Sequence, residues 1–134
     1  MIFKAFCVTI ACLTAGPTLA AGSKPESAEI VSFFDLIANK NKYDGKLVQL
    51  GGFLSFTFED NSVYYNEIDY SHQFTQNAIW IDTGAANELE FSKYDKKYGY
   101  VVGVFSAKEC GHLCLYSGGI KFEHFGLMYK DVEK

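Results

Sequence analysis

The sequence predicts a small, mainly β domain in which five or six strands curl into a partly open barrel behind one N-terminal helix. Apolar residues alternate with a period of two over several segments, as in half-buried strands. Glycines lie inside the longer of these segments, where a strand bends around a barrel. Only one segment, near the start of the folded part, shows a clear helical period.

The helix is expected over residues 28–39. Ser27 is the expected N-cap, and the polar run that starts at Asn39 ends the pattern. The apolar stripe at spacing i, i+3, i+4 and i+7 consists of Ile30, Phe33, Phe34 and Ile37. This face is expected to pack on the core, although a helix that binds a partner would show the same spacing.

The barrel is expected within residues 43–127. Its strands are predicted at residues 47–58, 63–65, 78–82, 98–105 and 118–125. Residues 67–74 are expected to be irregular, and residues 84–93 to form a weak helix or a loop. In the last strand, His124 is expected to be half-buried on the face that carries Ile120 and Phe122.

An internal echo links residues 43–52 to residues 94–103. The matching pairs are Tyr43/Tyr94, Asp44/Asp95, Lys46/Lys97, Leu50/Val101 and Gly52/Gly103. Two copies are too few for a solenoid, so we interpret them as two strands of one sheet with the same geometry, with chance similarity as the alternative.

The first copy continues to Phe53 and reads Tyr-Asp-Gly-Lys-Leu-Val-Gln-Leu-Gly-Gly-Phe. This segment resembles the opening strand of oligonucleotide/oligosaccharide-binding (OB) fold domains of the bacterial periplasmic kind. Residues 100–105 resemble the fourth strand of that fold, and the resemblance covers residues 43–125. It implies an OB-like barrel, but it implies little about activity because this fold carries unrelated functions.

Residues 1–20 have the layout of a secretory signal peptide. Lys4 precedes a short apolar run, and small residues stand at the end of that run. The run is too short for a membrane span, so we expect a single domain over residues 21–134 in the periplasm or outside the cell. Lipidation at Cys12 is disfavoured, because Thr9 stands where a lipid-attachment motif has leucine.

The charge of the chain disfavours nucleic acid as a partner. Without Lys4, 11 of the 12 basic residues remain against 16 acidic ones, a net charge of −5. Every basic residue is lysine, so the arginine fork that recognises phosphate and guanine is absent. An acidic domain favours a basic partner, while the plainer interpretation is that its charge keeps it soluble.

The sequence Cys110-Gly111-His112-Leu113-Cys114 is expected to close a disulfide, since two cysteines remain in an oxidising compartment. The alternatives are a thiolate and histidine metal site or redox-active thiols. No hydrolase, zinc-protease or phosphate-loop motif is present, so we expect no enzyme activity and no cofactor.

Tyrosine, tryptophan and nearby carboxylates offer the strongest recognition chemistry in the chain. The candidate binding residues are Tyr64, Tyr65, Asp69, Tyr70, Trp80 and Asp82. About half of the aromatic residues are expected to be buried. The primary hypothesis is a non-catalytic domain that recognises a protein, with an inhibitor or immunity protein as a sub-case. The alternatives are a domain that binds an envelope glycan or small ligand, and a metal or redox protein using the two cysteines and His112.

Overall fold

The computed structural model describes residues 27–84 and 90–128. The predicted signal peptide and the middle of the predicted weak helix at residues 84–93 lie outside these ranges. The described elements, in chain order, are β1 (Glu29–Val31), α1 (Phe33–Ala38), α2 (Lys40–Tyr43), β2 (Leu47–Thr57), β3 (Asp60–Tyr64), α3 (Glu67–Ser71), β4 (Ala78–Asp82), β5 (Lys97–Ser106) and β6 (Gly119–Leu127). The mainly β class is confirmed.

Five strands join in a ring, which confirms the predicted small barrel. β2 pairs with β3, β3 with β4, β4 with β6, β6 with β5, and β5 again with β2. The β4–β6 pair is parallel and the other four pairs are antiparallel. β1 lies outside the ring and runs parallel to the first half of β2.

The helix begins later than the sequence predicts. Its N-cap is Ser32, whose hydroxyl accepts a hydrogen bond from the Asp35 amide at 3.1 Å, and not Ser27. The residues before it form β1, because pairing with β2 satisfies their backbone groups better than an added helical turn. The buried face of α1 consists of Phe33 and Leu36, so the predicted stripe was wrong for Phe34, which is exposed.

The pair Gly51–Gly52 marks the point at which β2 changes partner. β2 pairs with β1 through Leu50 and with β3 from Phe53 onward. A Cβ atom on Gly52 would stand well inside van der Waals contact with the Tyr64 carbonyl oxygen. The glycine therefore allows β3 and α1 to approach the bend closely.

The two echoed segments lie side by side, as two strands of one sheet. Leu50 in β2 stands opposite Val101 in β5. The two aspartates of the echo have parallel roles: the Asp44 carboxylate accepts from the Ala107 amide and the Asp95 carboxylate accepts from the Phe56 amide, both at 2.8 Å.

The prediction for His124 was wrong, because β6 contains a bulge. Val102 stands opposite His124 while the next residue, Gly103, stands opposite Phe122. Skipping Glu123 reverses the alternation, so His124 is exposed and Phe125 turns inward. The Phe122 and Phe125 rings stack with centroids 4.2 Å apart.

Two apolar clusters lie on opposite faces of the strands. The barrel interior is filled by residues that include Leu54 and Val63. Their chain neighbours Phe53 and Tyr64 point to the other face, because successive side chains in a strand alternate. This outer cluster consists of Phe53, Tyr64, Ala78 and Tyr116, with Tyr70 and Trp80 packed against it.

Candidate functional site

The six predicted binding residues do not form one patch. Tyr64 is fully buried, and Tyr70 and Trp80 are half-buried around it in the outer cluster. Asp69 is only 8% exposed. Tyr65 and Asp82 are exposed at opposite ends of the β3–β4 pair. Of the four aromatic candidates only Tyr64 is buried, fewer than the expected half.

The outer cluster surrounds the buried carboxylate of Asp60. This carboxylate accepts hydrogen bonds from the hydroxyls of Ser55 at 3.0 Å, Tyr64 at 3.2 Å and Tyr116 at 2.8 Å, and from Ser62. Four hydroxyl donors saturate its acceptor sites. The arrangement holds the cluster together and leaves this face of the barrel filled by the chain's own side chains.

A disulfide-closed loop covers the outer cluster. Cys110 and Cys114 form the predicted disulfide, with Cα atoms 4.4 Å apart. Gly111 adopts a left-handed φ of 61° and packs its backbone against the Trp80 ring, where a Cβ atom would stand 2.6 Å from the indole. The Tyr116 ring lies 5.3 Å from Trp80, between centroids.

The disulfide joins both cysteine sulfur atoms, whereas the metal or redox alternative needs them as free thiols. His112 lies exposed on the same loop. Within residues 27–84 and 90–128, no three metal-ligating side chains gather around one point.

Burial raises the pKa of Tyr64 to about 12, with the negative charge of Asp60 as the second cause. Burial also raises the pKa of Tyr116, again reinforced by Asp60. A raised pKa in the folded state means that the unfolded chain loses these protons first, near pH 10. The stability that the Tyr64 hydroxyl contributes is therefore complete below pH 10 and is lost as the pH rises to about 12. The contribution of Tyr116 is also complete below pH 10 and falls above it.

We expect the free energy of unfolding to fall by about 2 kcal/mol over that range through Tyr64, and Tyr116 to add to the fall in the same direction. Urea unfolding at successive pH values measures it. Tyr64→Phe should reduce the slope, and Tyr65→Phe, at an exposed position, should leave it unchanged. Equal slopes in the wild type and in Tyr64→Phe would contradict this account.

An exposed pair of rings, Phe34 and Tyr65, lies just beyond the end of β3. Tyr65 follows Tyr64 and points away from the outer cluster, while its amide donates to the Asn77 carbonyl at 2.9 Å. Its ring lies 4.9 Å from that of Phe34 and 5.9 Å from that of Phe33. Phe34 is 68% exposed and Tyr65 is 43% exposed.

Two grooves meet at this ring pair. The larger, of about 600 Å³, runs along β1 and over the Gly51–Gly52 bend. The smaller, of about 410 Å³, lies between α1 and α3. Both are lined by Phe33, Phe34 and Tyr65, and no lysine within residues 27–84 and 90–128 lines either groove. We call the exposed residues Ile30, Phe34, Tyr65, Tyr98 and Met128 the aromatic surface.

Asp69 lies in the wall of the smaller groove. The Asn66 side chain caps α3 by accepting from the Asp69 amide at 2.8 Å, which fixes the position of this residue. The Asp69 carboxylate accepts from the Asn77 side-chain amide at 3.1 Å. The groove thus combines aromatic rings with one nearly buried carboxylate.

The neighbouring polar residues serve to end α3. The Ser71 hydroxyl donates to the Ile68 carbonyl at 2.9 Å, and Nδ1 of His72 lies 3.0 Å from the same oxygen. The serine and histidine are thus engaged locally, and their arrangement with Asp69 is not that of a hydrolytic triad.

Sequence reasoning found Tyr65 and Asp69 but missed Phe34 and Met128 as surface residues. The alternation of β3 carried a usable signal, because Tyr64 and Tyr65 could not point to the same side. The exposure of Phe34 depended on where α1 begins, which the helical spacing alone did not fix.

No described helix, the longest of which has six residues, reaches the length or apolarity needed to cross a bilayer. No protein-family model, curated protein or solved structure matches the chain. The interpretation of the site therefore depends on its own chemistry.

Proposed function

We propose that this chain is a non-catalytic domain that works in the periplasm or outside the cell and binds another protein through the aromatic surface. The observation that carries the proposal is the exposed Phe34–Tyr65 ring pair at the junction of two apolar grooves. Large exposed apolar patches with rigid aromatic residues are typical of protein interfaces. The resemblance to OB-like periplasmic domains supports the same setting, as does a disulfide.

The surface also offers backbone groups to a partner. β1 pairs with β2 on one side, and the structure pairs no described strand with its other side. Ile30, in the middle of β1, is 78% exposed beside the larger groove. An exposed strand edge next to apolar grooves favours an extended protein segment as the occupant.

The finer proposal is an inhibitor or immunity protein that covers a basic protein. The net charge of −4 over the whole sequence supports a basic partner, as does the absence of lysine among the described residues that line both grooves. The glycan alternative has less support, because few of the described residues that line the larger groove carry polar side chains: Ser32, Gln49 and three tyrosines. The metal or redox alternative would require the disulfide to be reduced.

Affinity capture with residues 21–134 from an envelope extract tests the proposal. We expect one stoichiometric, basic protein whose retention weakens as salt rises. Phe34→Ala should weaken retention by about 30-fold or more, the cost of losing a hot-spot side chain.

Phe58→Ala is the matched control, since Phe58 is 89% exposed but lies at the β2–β3 turn, away from both grooves. It should retain the partner fully. Capture of nothing by the wild type, or equal capture by Phe34→Ala, would refute protein recognition through this surface. For an inhibitor, the captured protein's own activity should fall on binding.

A further inference from the structure

We propose that the smaller groove is a pocket for a basic side chain, lysine or arginine, of the partner. The inference rests on the proposed function and names the chemistry that the pocket recognises. Its lining combines three aromatic rings with one carboxylate, namely Phe33, Phe34, Tyr65 and Asp69. We refer to it below as the Asp69 pocket.

The carboxylate has acceptor capacity left for a ligand. An ionised carboxylate accepts about four hydrogen bonds. The Asn77 amide is the side-chain donor that the structure gives to Asp69, and it contacts Oδ2. A cation that entered the pocket would meet a carboxylate already shielded from water, where charge-assisted hydrogen bonds are strongest.

The described part of the chain supplies no cation of its own to this carboxylate. Its two ion pairs join Lys42 to Asp35 and Lys46 to Glu29, both at exposed side chains. Lysine is absent from the lining of the Asp69 pocket. A nearly buried carboxylate without a cation is costly to fold, and a cation from a partner would offset that cost.

The aromatic rings add a second preference for positive charge. The faces of phenylalanine and tyrosine rings attract ammonium and guanidinium groups, and desolvation strengthens the attraction. Ile37 and Ala38 complete an apolar wall against which the aliphatic stem of lysine or arginine can pack. The aliphatic stem of a basic side chain would therefore meet the apolar wall, and its cation would meet the rings and the carboxylate.

Chemical-shift titration of the folded domain tests the pocket without any partner. The probes are N-acetyl-arginine amide and N-acetyl-lysine amide, with the neutral N-acetyl-citrulline amide and N-acetyl-norleucine amide as controls. We expect saturable shifts at the amides of Tyr65, Asp69 and Asn77 with the cationic probes at up to roughly 50 mM. The neutral probes should bind at least about tenfold more weakly.

Asp69→Asn should weaken binding of the cationic probes by about tenfold or more while preserving the residue's shape. Glu67→Gln is the matched control: it removes the same charge from an exposed position on α3 outside the pocket lining, and should bind as the wild type does. If Asp69→Asn fails to fold, the comparison of cationic with neutral probes on the wild-type protein still tests the inference.

Equal shifts with charged and neutral probes, or no shifts in the pocket with either cation, would overturn the inference. The two proposals fail separately. If Phe34→Ala loses the captured protein but the titration fails, protein recognition is supported and only the proposal of a basic side chain in the Asp69 pocket is refuted. If the titration succeeds but no protein is captured, the Asp69 pocket binds cations and the proposal of a protein partner is refuted.

Discussion

Asp60→Ala is expected to lower the free energy of unfolding by about 3–5 kcal/mol, a large share of the stability of a domain of this size. The substitution removes the acceptor shared by Ser55, Ser62, Tyr64 and Tyr116. Buried hydroxyls without partners cost about 1–3 kcal/mol each, and in a shared network these costs do not add. The tyrosines cannot turn to water without repacking, because Tyr64 is fully buried and Tyr116 is only 8% exposed.

Glu59→Ala is the control for Asp60→Ala. Glu59 is the preceding residue, carries the same charge and is exposed, so its loss should cost less than about 0.5 kcal/mol. Urea unfolding of the two variants and the wild type measures the difference. Similar unfolding midpoints for Asp60→Ala and Glu59→Ala would show that the buried carboxylate does not organise the outer cluster.

Gly52→Ala is expected to destabilise the fold by about 2–4 kcal/mol, at or above the upper end of ordinary overpacking. The new Cβ atom would collide with the Tyr64 carbonyl oxygen, and it would lie 2.8 Å from Val63 Cγ2 and 2.9 Å from Phe33 Cε2. The first of these is backbone in a paired strand, so relief requires β2 and β3 to separate at the point where β2 changes partner.

The adjacent glycine provides a matched control for Gly52→Ala. A Cβ atom on Gly51 would collide with Cε of Met128, the free end of a flexible side chain at an exposed position. Met128 can rotate away, so Gly51→Ala should cost less than about 1 kcal/mol. Thermal unfolding of both variants compares them, and equal losses would mean that the close approach of β3 is not the limiting contact.

Much of the fold could be predicted because it depends on local patterns. The strands at residues 78–82 and 98–105 follow from period-two alternation, and the glycine pair in β2 marked its bend. The start of α1 could not be predicted, because residues 29–31 are held by pairing with β2, a contact that local spacing does not encode. The bulge at Glu123 likewise depends on the register against β5.

The candidate site was harder to predict, because it depends on which face of each strand is covered. Tyr64, Tyr70 and Trp80 have the composition of a recognition patch, yet they pack on one another and on Tyr116, and Gly111 of the disulfide-closed loop lies against Trp80. These contacts between distant segments distinguish an outer cluster from an open surface. Tyr65 and Asp69 were found because they are polar or aromatic, whereas Phe34 looked like an ordinary core residue.

The position of β6 sets the order in which the chain can fold. β6 ends at Leu127 and joins β4 to β5, so the ring stays open until the last described strand is available. Until β6 pairs, β4 and β5 each present an unpaired strand edge, which favours aggregation. Closing the ring requires pairings between segments that are distant in the chain, and such pairings are slow to form. The barrel therefore closes late, and the chain that precedes β6 passes through an open-edged state before it does.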